Sequence, residues 1–264
     1  MTELLTASST WRCALVQADT RWADPAANRA HLTELLDREP DCDLYVLPET
    51  CTTGFLGDRD RLNELEAGTD FDWVRAQAVQ RRGAIACSIV AVDAGQICNR
   101  FVLARPDGST ATYDKHHLFS FGGEDQRYSA GSQRVRADLD GRTVDLQICY
   151  DLRFPVWCRN DVEFELQIFV ANWPAPRVEH WRTLLKARAI ENQCFVIGLN
   201  RCGIDGLGLE YSGSSGAWGP LGEALAGPMD ATEQIVLVEL DFDALASVRE
   251  RFRFLEDRDE FRLL

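Results

Sequence analysis

Short apolar runs that each end on a polar residue constrain this chain more than any other feature of its sequence. Residues 143–148 form such a run, closed by Cys149, and Pro155 follows six residues later, where a helix can begin. Residues 11–18, 43–48 and 166–171 have the same form, and the last two run into Glu49 and into Asn172-Trp173-Pro174. Between them lie segments of helical spacing. One opens at Pro25 and carries His31, Leu32, Leu35 and Leu36; another spans residues 59–80 with Leu62, Leu65, Trp73, Val74 and Val79; a third spans residues 179–192. Residues 84–92 and 97–105 flank the turn Asp93-Ala94-Gly95-Gln96 and read as an antiparallel hairpin. A second turn, Pro106-Asp107-Gly108, leads to a short strand at 110–113 that delivers Lys115. Residues 194–199, 212–218 and 234–240 read as further strands. Strands alternating with helices, mixed with hairpins, predict an α/β fold of sheets with helices outside.

The motifs that cradle phosphate are missing. No Gly-x-Gly-x-x-Gly follows a strand and no Gly-Lys-Ser/Thr occurs, so the chain does not read as a doubly wound nucleotide fold. Gly213-Ser214-Ser215-Gly216 lacks the Gly-x-Ser-x-Gly spacing of a serine nucleophile elbow. A formal net charge of −14 disfavours nucleic acid and anionic membrane surfaces as partners, and an anionic substrate would need a local Arg or Lys. Met1-Thr2-Glu3-Leu4-Leu5 lacks the basic and apolar regions of a signal peptide, and no run approaches the roughly 20 apolar residues of a membrane helix. The nine cysteines include no Cys-x-x-Cys, which points to reduced thiols in the cytoplasm. His31, His116 and His117 have no partners at metal-ligand spacing, so no metal is expected. No linker divides the chain, and residues 11–264 read as a single domain. Its last part, residues 249–264, carries Phe252, Phe254, Leu255 and Phe261 among charges and reads as an arm packing on the body or on a second subunit.

Three residues share one placement: Glu49, Lys115 and Cys149 each fall at or just beyond a strand end. The carboxyl edge of an α/β sheet gathers such positions, and backbone N–H groups of a strand-to-helix turn favour a thiolate and a neighbouring oxyanion. A cysteine nucleophile needs a base for its proton and a cation for the oxyanion, which Glu49 and Lys115 supply. A papain-like pairing of Cys149 with His116 or His117 is the rival reading.

Pro48-Glu49, residues 113–119 (Tyr-Asp-Lys-His-His-Leu-Phe) and residues 148–155 (Ile-Cys-Tyr-Asp-Leu-Arg-Phe-Pro) resemble, in order, the Glu-Lys-Cys motifs of the nitrilase superfamily of carbon-nitrogen hydrolases. Residues 171–174 and 187–192 also look like that family. The resemblance implies an αββα sandwich that commonly dimerises to αββααββα, and hydrolysis of a non-peptide carbon–nitrogen bond without metal or cofactor. On this chain it makes Glu49 the general base, Cys149 the nucleophile, and Lys115 with the Tyr150 backbone N–H the oxyanion site, while Glu124 resembles a second acid that positions the site. Residues 149–157, 119–128 and 172–177 look closest to bacterial omega-amidases, which act on 2-oxoglutaramate or 2-oxosuccinamate. Such substrates carry a carboxylate, for which Arg153 is the first candidate and Arg177 the second, with Phe119 and Trp173 lining the pocket. The alternatives are an amidase for deaminated glutathione or a carbamoyl-amide hydrolase, and, from another class, a binding protein on the same fold.

Overall fold

The first apolar run becomes β1 (Thr10–Gln17), and Asp24 caps the helix that follows, its Oδ1 accepting the Ala27 N–H at 3.0 Å, with Pro25 in the first turn of α1 (Pro25–Asp37). The computed structural model describes residues 9–56, 68–93 and 95–263. After α1 come β2 (Leu44–Val46), α2 (Thr69–Arg81), β3 (Ala84–Asp93), β4 (Gln96–Ala104) and β5 (Thr110–Asp114). Together with β14 (Gln234–Asp241) these strands form a six-stranded sheet ordered β14-β1-β2-β3-β4-β5. β1, β2 and β3 are mutually parallel, while β4 reverses direction and β5 reverses it again. The carboxyl ends of β2 and β5 therefore lie at one edge, which is why Glu49 and Lys115 can meet.

The second sheet has the order β13 (Ala224–Ala226), β12 (Gly216–Trp218), β9 (Phe195–Asn200), β8 (Leu166–Ala171), β7 (Arg142–Ile148), β6 (Arg136–Leu139), with β7, β8 and β9 parallel. A separate ribbon pairs β10 (Cys202–Ile204) with β11 (Glu210–Ser212). Alternation along the strands builds the layers. Trp11, Cys13, Leu15, Leu44, Val46, Phe101 and Leu103 of the first sheet share one core with Leu146, Ile148, Ile168, Val170 and Ile197 of the second. The intervening residues Ala14, Val16, Tyr45, Ile85 and Val102 face a second core with Leu32, Leu35 and Leu36 of α1 and Val74 and Ala78 of α2. On the far side, Trp181, Leu185 and Ala189 of α3 (Val178–Asn192) cover the second sheet, and Gly198 on β9 is what lets α3 approach, since a Cβ there would overlap Leu185. The result is the expected α/β sandwich, helix, sheet, sheet, helix.

Two details depart from the sequence reading, at Pro155 and at 212–218, and two others, the helix over 59–80 and the C-terminal arm, are met only in part by the described residues. In the helix expected over 59–80, the described part starts at Thr69, and Leu62 and Leu65 lie outside the described residues. No α-helix starts near Pro155. A 3₁₀ turn over Cys149–Arg153 begins at the cysteine itself, and the segment beyond it is tied to the body through Asn160, whose Nδ2 donates to Phe164 O (3.0 Å) and Asn192 O (2.9 Å). The strand expected over 212–218 is broken, because Gly213 and Ser214 both adopt φ of +61° and divert the chain from the ribbon into β12. In the arm, α4 (Phe242–Arg251) is followed by a 3₁₀ turn in which Leu255 is buried but Phe254 is 57% exposed; Phe252 is half-buried and Phe261 is exposed. Packing on the body thus accounts for only part of the arm.

Candidate active site

Cys149 adopts φ of +46°, a left-handed conformation that costs a non-glycine residue on the order of 1–3 kcal/mol and is held only by its surroundings. Asp151 does the holding. Its Oδ2 accepts the Ile148 N–H (3.0 Å) and the Tyr113 hydroxyl (2.8 Å), and its Oδ1 accepts the His117 backbone N–H (3.0 Å) and faces His117 Nδ1 (2.8 Å). This fully buried carboxylate therefore locks the nucleophile turn after β7 to the strand that delivers Lys115. His117 also stacks on Phe154 and His116 stacks on Trp157, so both imidazoles are engaged in the wall beside the turn rather than in a pairing with Cys149. Replacing Asp151 by Asn removes acceptor capacity from a buried network and is expected to lower the unfolding free energy by about 2 kcal/mol, read from the urea midpoint. An unchanged midpoint would mean that other contacts hold the turn.

All nine cysteines are free, and Cys149 alone is not buried. Its Sγ lies 4.0 Å from the Asn172 carbonyl at the end of β8. Desolvation pushes the thiol well above its usual range, the charge of Glu49, that of Glu124 and a hydrogen bond to Glu49 push it further, and only Lys115 pulls it down. These surroundings favour the thiol, and a thiol nucleophile requires a base. Cys51 is buried, and its hydrogen bond to Cys87 followed by burial raises its thiol well above the usual range, so it is protected from oxidation by both accessibility and protonation.

Glu49 and Lys115 are each 1% exposed and Glu124 is inaccessible. Lys115 Nζ donates to Glu49 Oε1 at 2.9 Å and to both oxygens of Glu124 at 3.0 and 2.9 Å. Burial opposes the ammonium charge, but the two carboxylates outweigh it and hold the lysine charged, well above its ordinary range. Glu124 is pushed up by burial, more than Lys115 offsets. Asn99 Nδ2 caps Glu49 Oε1 at 2.7 Å and reaches Glu124 Oε1 at 3.4 Å, and Glu124 Oε2 accepts the Phe119 N–H at 2.6 Å. Glu49 Oε2 receives the Asn172 N–H at 2.6 Å, while Asn172 Nδ2 donates to Glu49 O (3.1 Å) and Thr50 Oγ1 (2.9 Å). The base is thus fixed from three strands, with Oε1 more heavily capped than Oε2.

A cavity of about 560 Å³ opens over the thiol, and Glu49, Lys115, Cys149, Tyr150, Phe119, Trp173, Arg153 and Arg177 all border it. Glu124 lies behind Lys115. Arg153 lies over the Trp173 ring (4.9 Å) and Arg177 over Phe119 (5.4 Å). Every site residue read from the sequence is brought to one place. Several others were missed: Asn99 and Asn172, which grip the carboxylates, and Trp22, Phe55 and the turn of the ribbon, which form the opposite wall. In that turn Asp205 Oδ1 accepts the N–H groups of Leu207 and Leu209 (both 2.9 Å) and Oδ2 accepts the Tyr211 hydroxyl (3.0 Å). An Asn between Cys98 and the apolar run 101–104 of β4 is the one local signal that could have marked Asn99. Among the described residues no group of side chains is arranged to hold a metal ion, and no helix is long and apolar enough to cross a membrane.

A partly accessible thiol, a buried carboxylate and a buried ammonium thus meet at the carboxyl edge of two facing sheets, the kinds of group that acyl transfer at a cysteine needs. The profile of the carbon-nitrogen hydrolase family matches residues 12–250, and the chain belongs to that family; with amidases among its relatives, it is a hydrolase acting on amide C–N bonds. It is 41% identical over 256 residues to omega-amidase YafV of Yersinia enterocolitica, covering 97% of this chain and 100% of that protein. To the 2-oxoglutaramate amidase of Bacillus subtilis it is 34% identical over 253 residues, covering 94% and 97% of the two chains. XC1258 of Xanthomonas campestris, a CN-hydrolase superfamily protein solved with an arsenic adduct in its active site, is 43% identical and superposes with a TM-score of 0.93 over 97% of this chain and 99% of that one.

Proposed function

We propose that this protein is an omega-amidase that hydrolyses the terminal amide of 2-oxo dicarboxylic acid monoamides, 2-oxoglutaramate and 2-oxosuccinamate, to the 2-oxo acid and ammonia through a thioester on Cys149. The observation that carries the reading is the buried Glu49–Lys115–Glu124 cluster beside the one accessible cysteine, in a cavity that also presents Arg153 and Arg177. The similarity to omega-amidase YafV and to 2-oxoglutaramate amidase supports the substrate class.

Glu49 takes the thiol proton as Sγ attacks the amide carbon, and Oε2, the oxygen with fewer donors, is the better placed to receive it. Negative charge collects on the carbonyl oxygen and is met by Lys115 and the Tyr150 backbone N–H. An ammonium has three donors, and Glu124, which accepts with both oxygens, fixes its direction; the donor shared with one of those oxygens is the one that turns to the oxyanion. The tetrahedral intermediate collapses, Glu49 returns the proton to the leaving nitrogen, and ammonia departs. Water then gives a proton to the same carboxylate as it attacks the thioester, and the second collapse releases the acid and restores the thiol. Side chains of this chain carry every step. The substrate carboxylate lies against Arg153, with Arg177 behind it, between Phe119 and Trp173.

Residues 11–264 act in this reading as one domain, since the two sheets share a core. Exposed Val156, Val162, Ile190 and Leu221 support a homodimer, and nine free cysteines support a reducing, cytoplasmic setting. The test is ammonia release over a panel of 2-oxoglutaramate, glutamine, simple amides, deaminated glutathione, carbamoyl amino acids and nitriles, with Cys149→Ala as control. Preference for the keto-acid amide by at least about tenfold in kcat/KM, lost in the variant, is the expected result. Preference for another class discards the substrate assignment, and activity surviving in Cys149→Ala discards the mechanism.

A further inference from the structure

Arg153 is held differently from the arginines of this chain that are paired with carboxylates. Arg100, Arg136, Arg142 and Arg188 are each matched to a carboxylate. Arg153, on the cavity wall four residues past the nucleophile, instead donates from Nη2 to an imidazole nitrogen, Nδ1 of His180, at 3.0 Å. Its guanidinium face rests on Trp173, which is itself fixed: the Trp173 Nε1–H donates to Arg177 O and its backbone N–H to Asn200 Oδ1, both at 2.7 Å. One face and one edge of the guanidinium are thus set by an indole and an imidazole. The only carboxylate next to His180 in sequence, Glu179, is drawn to Arg182 at 2.9 Å.

A carboxylate in place of His180 would neutralise the cation and compete with substrate, whereas an imidazole nitrogen orients the guanidinium and leaves its charge available. We propose that His180, in the first turn of α3, is a positioning residue that sets specificity for the substrate carboxylate by orienting Arg153. The inference rests on the assignment of Arg153 as carboxylate receiver made above. His180 does not line the cavity and touches substrate only through the arginine.

The test compares wild type with His180→Leu, His180→Asn and Arg153→Leu on 2-oxoglutaramate and on pentanamide, an uncharged amide of the same carbon count. Asn Oδ1 occupies nearly the place of His Nδ1 and can accept the same bond. In His180→Leu, KM for 2-oxoglutaramate is expected to rise about tenfold with kcat within about twofold, pentanamide kinetics unchanged, and His180→Asn restoring most of the loss. Arg153→Leu is expected to raise the same KM about a hundredfold. If Arg153→Leu abolishes the preference for the charged amide while His180→Leu behaves as wild type, the role of His180 is overturned and that of Arg153 stands. If Arg153→Leu leaves the preference intact, the carboxylate assignment itself fails. A fall in kcat on both amides in His180→Leu, unrelieved in His180→Asn, marks a merely structural residue and also overturns the inference.

Discussion

Glu49→Gln is expected to lower kcat for amide hydrolysis about a thousandfold while making Cys149 easier to alkylate at neutral pH. The two effects have opposite signs because the carboxylate does two things. In the proposed mechanism it is the base that accepts the thiol proton and returns it to the leaving nitrogen, and general acid–base catalysis of that kind contributes roughly 10²–10⁴-fold. As a charge it holds the proton on sulfur: after desolvation, the Glu49 charge is the next largest cause of the raised Cys149 pKa, with its hydrogen bond adding to it, whereas Lys115 favours the thiolate. Glutamine keeps the size, and its Oε1 can still accept from Lys115 and Asn99, so that side of the cluster stays assembled, while its Nε2 no longer accepts the Asn172 N–H. The thiol pKa falls, the thiolate fraction at a given pH rises, and the pH profile of iodoacetamide alkylation moves to lower pH. The measurement is that profile beside single-turnover ammonia release. Alkylation that falls as steeply as hydrolysis would show that Glu49 is needed to generate the thiolate, and the mechanism would need another proton acceptor for the leaving group.

The logic of strand ends made Glu49, Lys115 and Cys149 legible, because an apolar run stops just before Glu49 and before Cys149, and a short strand after the turn at Gly108 stops just before Lys115. The direction of the strands was not legible at that level. Glu49 and Lys115 share an edge only because β4 and β5 reverse twice, and the hairpin turns around Gly95 and Gly108 encode those reversals locally. Asp151 stood inside a recognised motif, yet its work depends on Tyr113 and His117 arriving from another strand. Asn99 reaches carboxylates 50 and 25 residues away in the chain, a distance over which no local pattern carries information. Pro155 misdirected the reading because a proline after a polar turn is compatible with a helix start, whereas side-chain bonds from Asn160 and Asn192 hold that segment in turns instead. The wall made by Asp205 and the ribbon escaped because its strands are three residues long and its shape comes from one carboxylate folding back on its own turn. The exposure of Phe254 depends on what else meets the arm, and that is not written in the arm.

Lys115→Met is expected to cost both activity and stability, and the stability loss depends on pH in a direction that identifies its cause. In the proposed mechanism the substitution removes the oxyanion cation, and kcat is expected to fall by roughly 10²–10³-fold. It also leaves Glu49 and Glu124 facing each other inside the protein with Asn99 as their shared donor, and breaking a buried ion pair by deleting one partner typically costs about 3–5 kcal/mol. Burial already raises Glu124, and without the lysine that rise is larger, so the native variant holds a proton that the unfolded chain, with glutamate near a pKa of about 4.3, has released. A native state that binds more protons than the unfolded state loses stability as pH rises through that interval. The variant should therefore be closest to wild type near pH 5 and fall furthest behind it near pH 8, in urea denaturation at both. Lys115→Met/Glu124→Gln, which removes the second carboxylate, should recover much of the stability at pH 8 and none of the activity. If the deficit of Lys115→Met is the same at both pH values, its origin is lost packing around the lysine stem. If the double variant regains activity, the lysine is a counterion for Glu124 and the oxyanion is stabilised by backbone alone.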